Sequence, residues 1–231
     1  MKLTPQQIDR LYQFTRQHYV EYYDLQTELV DHLANAIEQQ WQENPKISFE
    51  EALQIEFKKF GIFGFMDVVE QRQETLNKKY NQLVWTHFKS FFQLPQILGT
   101  LAAIVLLYQL LSENQYAHLI SVTLMGVLLV LVFGGLFWLR YQNKKRNKQS
   151  GKKWLFRDIL FSYGSLGSFS YLPAQVFIRG EVTAYSQLVL FLFSAFLVSM
   201  FLLQYILLVR IPQKAETYLC ETYPEYRLER N

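Results

Sequence analysis

The chain has 231 residues, half of them apolar and 16% aromatic, and only 19% charged, with a net charge of +3. The charges are uneven: residues 1–89 hold 13 acidic and 10 basic side chains, while 90–112, 114–139, 159–178 and 182–209 hold none at all. Four apolar runs of transmembrane length argue against a soluble enzyme and against disorder, although the mean hydropathy of −0.01 would suit an ordinary soluble protein.

The first helix is announced by Thr4, Pro5 and Gln7, a capping residue, a first-turn proline and the return partner of a capping box. Ile8, Leu11, Tyr12, Tyr19 and Tyr22 then form a helical stripe. A second helix is expected from about Asp24 to Glu43 on Leu25, Leu29, Leu33, Ala36 and Ile37, with Trp41 near its end. Asn44-Pro45 stops it, because proline disfavours helix in the residue before it. Ser48 and Glu51 make a second capping box. The third helix carries Phe49, Ala52, Leu53, Phe57 and Phe60 and ends at Gly61, the expected left-handed C-terminal residue. A fourth begins near Phe65 with Val69, Leu76, Tyr80, Leu83 and Val84. No strand pattern interrupts them, so the expected fold class is all-α: a small helical bundle over 1–90, four transmembrane helices over 91–209, and a tail over 210–231. The fourth helix runs through Lys78, Lys79 and Trp85 toward the first apolar run, a route for passing a tilt or rotation between them.

The pattern Tyr23-Asp24, Glu28-Leu29, Asp31-His32-Leu33, then Ser48-Phe49-Glu50-Glu51-Ala52 and Phe60-Gly61 resembles the HAAS domain, the helical domain associated with PadR-type transcription regulators. It is also similar to the helical prefix of some bacterial permeases. The resemblance covers about residues 10–75. It implies a cytoplasmic domain followed by membrane helices, a protein partner such as a PadR-type regulator, a signalling or adaptor role, and no catalytic residues.

The spans are expected near 92–111, 119–139, 157–178 and 187–209. Loop 112–118 has no lysine or arginine, and 179–185 has only Arg179, whereas 140–157 has eight. By the positive-inside rule this predicts a multi-pass protein of the bacterial cytoplasmic membrane with both termini inside. Trp85, Phe88, Trp138, Tyr141 and Trp154 fall near the inner interfaces. Lys144, Lys145, Arg146, Lys148, Lys152 and Lys153 form a candidate lipid-contact loop, beside the plainer reading of a topology determinant. No reading helix or stacking platform accompanies them, so direct nucleic-acid binding is not expected.

The third run is the most polar. Ser162, Ser165, Ser168 and Gln175 mark a candidate polar face, and Gly164 with Ser168 is a small-xxx-small pair that allows close helix approach. A centrally packed helix is the structural reading, and a small transporter or permease subunit is the functional alternative. An ion path normally carries an ionisable residue deep in a span, and none is present.

Glu28, Asp31 and His32 sit within about one turn, and Glu28 and His32 could share a metal. Three donors from one turn do not converge, so the expectation is a structural or partner-binding motif, with His32 at the edge of the buried stripe bonded to a carboxylate, and no metal or other cofactor. His18, His87 and His118 are isolated in the sequence. Cys220, the single cysteine, lies among Glu216, Glu221 and Glu225 and offers neither a disulfide nor a nucleophile. Residues 1–30 show no secretory leader pattern. No phosphate loop, catalytic triad or HExxH pattern occurs, so an enzyme is not expected.

Overall fold

The structure is a computed structural model that describes residues 2–113, 115–163, 186–223 and 226. Among these residues the regular structure is entirely helical. The elements are α1 (Pro5–Gln17), α2 (Tyr23–Glu43), α3 (Phe49–Lys58), α4 (Met66–Ser90), α5 (Gln96–Ser112), α6 (Ala117–Ser150) and α7 (Leu155–Leu160). Then come α8 (Gln187–Tyr205), a π-helical turn (Ile206–Arg210), α9 (Ile211–Gln213) and α10 (Ala215–Thr222). They group into two compact units. Unit 1 is Met1–Leu76 with Arg146–Asp158, and unit 2 is Asn77–Lys145 with Ile159–Asn231.

In unit 1 the local signals act where the sequence places them. Thr4 accepts from Gln7 N at 3.3 Å while Thr4 N donates to Gln7 Oε1 at 2.8 Å, closing the capping box. Ser48 caps α3 by accepting from Glu51 N at 3.3 Å. Gly61 takes φ +76°, a left-handed conformation that strains any residue with a Cβ and that glycine adopts freely after α3. One boundary differs from the sequence expectation. The stripe through Tyr19 and Tyr22 suggested a longer first helix, but α1 stops at Gln17 and Tyr19 takes φ +64° with its ring exposed. The reversal is held by Gln26, a buried amide that donates to Val20 O at 2.6 Å.

The core of unit 1 joins Leu11 and Phe14 of α1, Leu25, Leu29, Leu33 and Ile37 of α2, Ala52 and Leu53 of α3, and Phe65. Aromatic rings close one end: Phe57 meets Phe14 edge-on at 5.1 Å and Phe65 at 5.0 Å, and Phe60 meets Phe65 at 4.8 Å. His18 is part of this cluster, with its ring 4.2 Å from Phe14 and 4.3 Å from Phe57.

Unit 2 has a different surface. α5 packs along α8, and Leu111, Ala117, Met125, Leu128, Phe193 and Leu197 form a core shared by α5, α6 and α8. Two serines buried here bond back to their own helices, Ser121 to Ala117 O at 2.8 Å and Ser194 to Leu190 O at 2.9 Å, while Thr100 donates to Phe91 O ahead of its helix at 3.0 Å as well as to Gln96 O at 3.3 Å. At Gly135 a side chain would run into Leu208 of the π-helical turn and Tyr163 Oη, so a bare backbone is what permits this approach. The second half of α4 is pinned to α10, Lys79 donating to Thr222 Oγ1 at 2.9 Å and His87 Nε2 lying 2.7 Å from Tyr218 Oη. Burial, then the cations Lys214 and Arg210, hold the His87 pKa below its ordinary value.

Among the described residues two helical stretches, Ala117–Ser150 and Gln187–Gln213, are long and apolar enough to cross a membrane, with peak mean hydropathies of 2.6 and 2.3. α5 is apolar but only 17 residues long. Only 22% of the apolar stretch of α6 and 33% of that of Gln187–Gln213 is buried within the protein, whereas the core helix of a soluble fold is mostly covered. Of the four spans expected from the sequence, the described residues thus contain two helices of spanning length and one shorter apolar helix, and the four-helix membrane bundle is not seen as such. Most of the third span lies outside the described residues, with α7 and Phe161–Tyr163 at its start.

Candidate functional site

A polar constellation lies in unit 1, where the segment after α6 folds back onto the N-terminal end of α2. Tyr22 is the residue before α2 and has no side chain suited to capping, so the first turn of the helix must find partners elsewhere. Tyr23 N donates to Lys153 O at 2.8 Å. In return the carboxylate of Asp24 accepts from Leu155 N, at the start of α7, at 3.2 Å. Each segment satisfies an orphan amide of the other, which sequence spacing cannot show because the partners are 131 residues apart.

The side chains seal the junction. Trp154 is buried and meets Tyr23 edge-on at 5.4 Å, and Leu155 and Phe156 are buried beside it. The Lys152 ammonium lies 3.9 Å from the centre of the Tyr23 ring, within cation–π range. Lys153 Nζ pairs with Glu21 at 2.6 Å, and this bond raises the lysine's pKa. Arg157, 4% exposed, donates from Nη2 to Asn147 Oδ1 at 2.5 Å and to Lys152 O at 2.9 Å. Asn147 Nδ2 donates to Asp158 at 3.3 Å, so one amide bridges the buried cation and its neighbouring carboxylate. Tyr22 also bonds Asp158. Burial first, then the charges of Asp158 and Glu21, push its hydroxyl up to about 12.

This geometry divides the basic loop. Of the six residues of the expected lipid-contact loop, Lys152 and Lys153 are engaged within unit 1 by Tyr23 and Glu21. Lys144, Lys145 and Lys148 are exposed, and Arg146 is half-buried. The basic segment also does not begin as a loop, because α6 continues as helix to Ser150.

Glu28, Asp31 and His32 all lie exposed on α2. His32 is not the carboxylate-bonded core-edge residue expected. Its ring approaches Phe60 edge-on at 5.9 Å. Among the described residues no group of three or more His, Cys, Asp and Glu is placed to hold a metal ion. Ser162 is half-buried and bonds Ile159 O at 3.4 Å. Ser165, Ser168 and Gln175 lie outside the described residues.

Sequence reasoning missed Glu56, which is 3% exposed in α3, bonded by the Gln40 amide and paired with Lys59 at 2.6 Å. Its place beside Leu53 and Phe57 in the helical stripe was the available signal. The Asp24 bond to Leu155 N and the network of Asn147, Arg157 and Asp158 were also missed, and nothing local marks them. Comparison with family models, with curated proteins and with solved structures finds no match for the chain.

Proposed function

We propose that the protein is a membrane-anchored signalling or adaptor protein. Its unit 1 binds a cytoplasmic protein partner, for which a PadR-type regulator is the leading candidate on the resemblance of residues 10–75. Four spans anchor it in a bacterial cytoplasmic membrane with both termini inside. The observation that carries this reading is the docking of Lys152–Asp158 on α2. That segment follows the apolar helix α6 directly in the chain, and α4 leads in the other direction toward α5. The N-terminal helices are thus tied to apolar chain at two points, one covalent and one by packing. A change of tilt or register in α6 would act on the first turn of α2 through Trp154 and the Asp24 carboxylate. No chemistry is required of such a protein, only a surface whose geometry depends on the bundle.

Two experiments test it. Alkaline-phosphatase fusions at Asn114 and Arg179 should be active and a fusion at Lys148 inactive, and activity at Lys148 overturns the orientation. Full-length chain and the candidate regulator, mixed in detergent, should bind, and Trp154→Ala should change the affinity. Binding that is absent, or indifferent to Trp154→Ala, overturns the adaptor role. A transport role would rest on the serine- and glycine-rich third span, most of which lies outside the described residues, so one reading is carried forward.

A further inference from the structure

We infer that one face of α6, carrying Arg140 within a belt of Phe137, Trp138 and Tyr141 and Lys144 and Lys145 just beyond it, is a binding surface for the phosphate headgroups of anionic lipids. The inference rests on the membrane reading above and divides the basic segment by where its side chains go.

All six residues belong to unit 2 and all are exposed, Phe137 at 76%, Trp138 at 50% and Tyr141 at 63%. Steps of three and four residues, from 137 to 141 to 144 and from 138 to 141 to 145, keep them on one side of the helix. Leu139 and Asn143 are buried on the opposite side, which fixes the direction in which the exposed face looks. Among the described residues none of the three cations has a recorded carboxylate partner, whereas Lys152 and Lys153 are engaged by Tyr23 and Glu21.

The vertical spacing matches a bilayer interface. Four residues of helix separate Tyr141 from Lys145, a rise of about 6 Å. One headgroup layer is about 5–8 Å deep beyond the hydrocarbon. Amphipathic rings at the hydrocarbon boundary therefore leave the lysines at phosphate depth, with the apolar part of α6 in the core. Opposite charge then selects the occupant: a zwitterionic headgroup offers each cation a phosphate beside a competing ammonium, and an anionic one offers the phosphate alone. Each cation near such a surface favours it by about fivefold at moderate salt.

The test uses the full chain reconstituted in nanodiscs of phosphatidylethanolamine and phosphatidylglycerol at 3:1, extracted in mild detergent, with the retained lipid measured by mass spectrometry. The wild type should retain phosphatidylglycerol above its bulk share. Arg140→Gln/Lys144→Gln/Lys145→Gln should lower that enrichment at least fivefold. Lys144→Arg/Lys145→Arg should keep it, and Lys152→Gln/Lys153→Gln should leave it unchanged. Equal enrichment in the triple glutamine variant, or an equal loss in the Lys152/Lys153 variant, overturns the assignment. A wild-type chain that does not enter the nanodisc at all overturns the membrane reading itself and the assignment with it.

Discussion

Units 1 and 2 are both helical, yet they put their apolar side chains to opposite uses. In unit 1 the stripes face inward, and α1 and α2 expose Asp9, Asp31 and Glu28 outward. In unit 2 the helices expose Leu98, Leu106, Val130, Phe133 and Phe137 while burying Ser121 and Ser194. Periodicity separates an inside from an outside only where the outside is water. In unit 1 alternation of apolar and polar residues therefore specifies the packed face. In unit 2 both faces are apolar, and the packed face is set by small residues, hydroxyls that bond their own helix, and the clearance at Gly135.

The largest effect should come from putting a charge into the unit 1 core. Leu33 is fully buried, and Leu33→Asp should cost more than about 4 kcal/mol. In detergent it should abolish the unfolding transition of unit 1 and leave the apolar helices helical, as followed by circular dichroism. A two-unit collapse would show that the division of the chain is wrong. Trp154→Ala should follow, at about 3–5 kcal/mol for a buried indole, with faster amide exchange confined to residues 146–158 and the start of α2. Unchanged exchange at Tyr23 would break the clasp.

In unit 2 the corresponding stress is overpacking. Gly135→Val drives a side chain into Leu208 and Tyr163 Oη and should cost about 1–3 kcal/mol. Gly126, whose Cβ direction is open, should accept alanine with no loss, and equal sensitivity at both glycines would remove the argument from clearance. Thermal unfolding in detergent reads both.

The fourth expectation concerns pH. Tyr22 is raised to about 12 in the fold against an ordinary 10. Its contribution is full below pH 10, where the hydroxyl is protonated in folded and unfolded chains alike. It is lost as pH rises from 10 through 12, because the unfolded chain ionises first. The side chain is about half-exposed, so screening reduces the nominal effect to about 1 kcal/mol. Tyr22→Phe should flatten stability across that window, and an unchanged slope would separate Tyr22 from Asp158. The smallest effect belongs to His32→Ala. With an exposed ring on the edge of Phe60 it should cost about 0.5 kcal/mol, and the metal content of the purified chain should not change. A bound transition metal lost with the substitution would reinstate the ligand reading.

The caps at Thr4 and Ser48, the stop at Asn44, the left-handed Gly61 and the core stripes were legible in the sequence because each depends on residues within one or two turns. The site was not. Asp24 reads as an ordinary first-turn acid, and Trp154 as an interfacial aromatic. Only the bond of Asp24 to Leu155, 131 residues away, and the packing of Trp154 on Tyr23 turn them into a cap and a plug. His32 erred in the other direction: its spacing from Leu29 and Ala36 put it at the core edge, but the packing of α2 leaves that edge open beside Phe60.

The sequence by itself determined what depends on composition and short range. The chain is helical, its charge is gathered at the front and in one segment, and two of its later helices are long and apolar enough to cross a membrane, because hydropathy and capping act residue by residue. The tertiary structure decided which lysines are engaged by distant partners, where α6 stops being apolar helix and becomes part of unit 1, and which glycine lies against a neighbouring side chain. Those outcomes depend on distant side chains arriving at the same place, and no local pattern encodes that arrival.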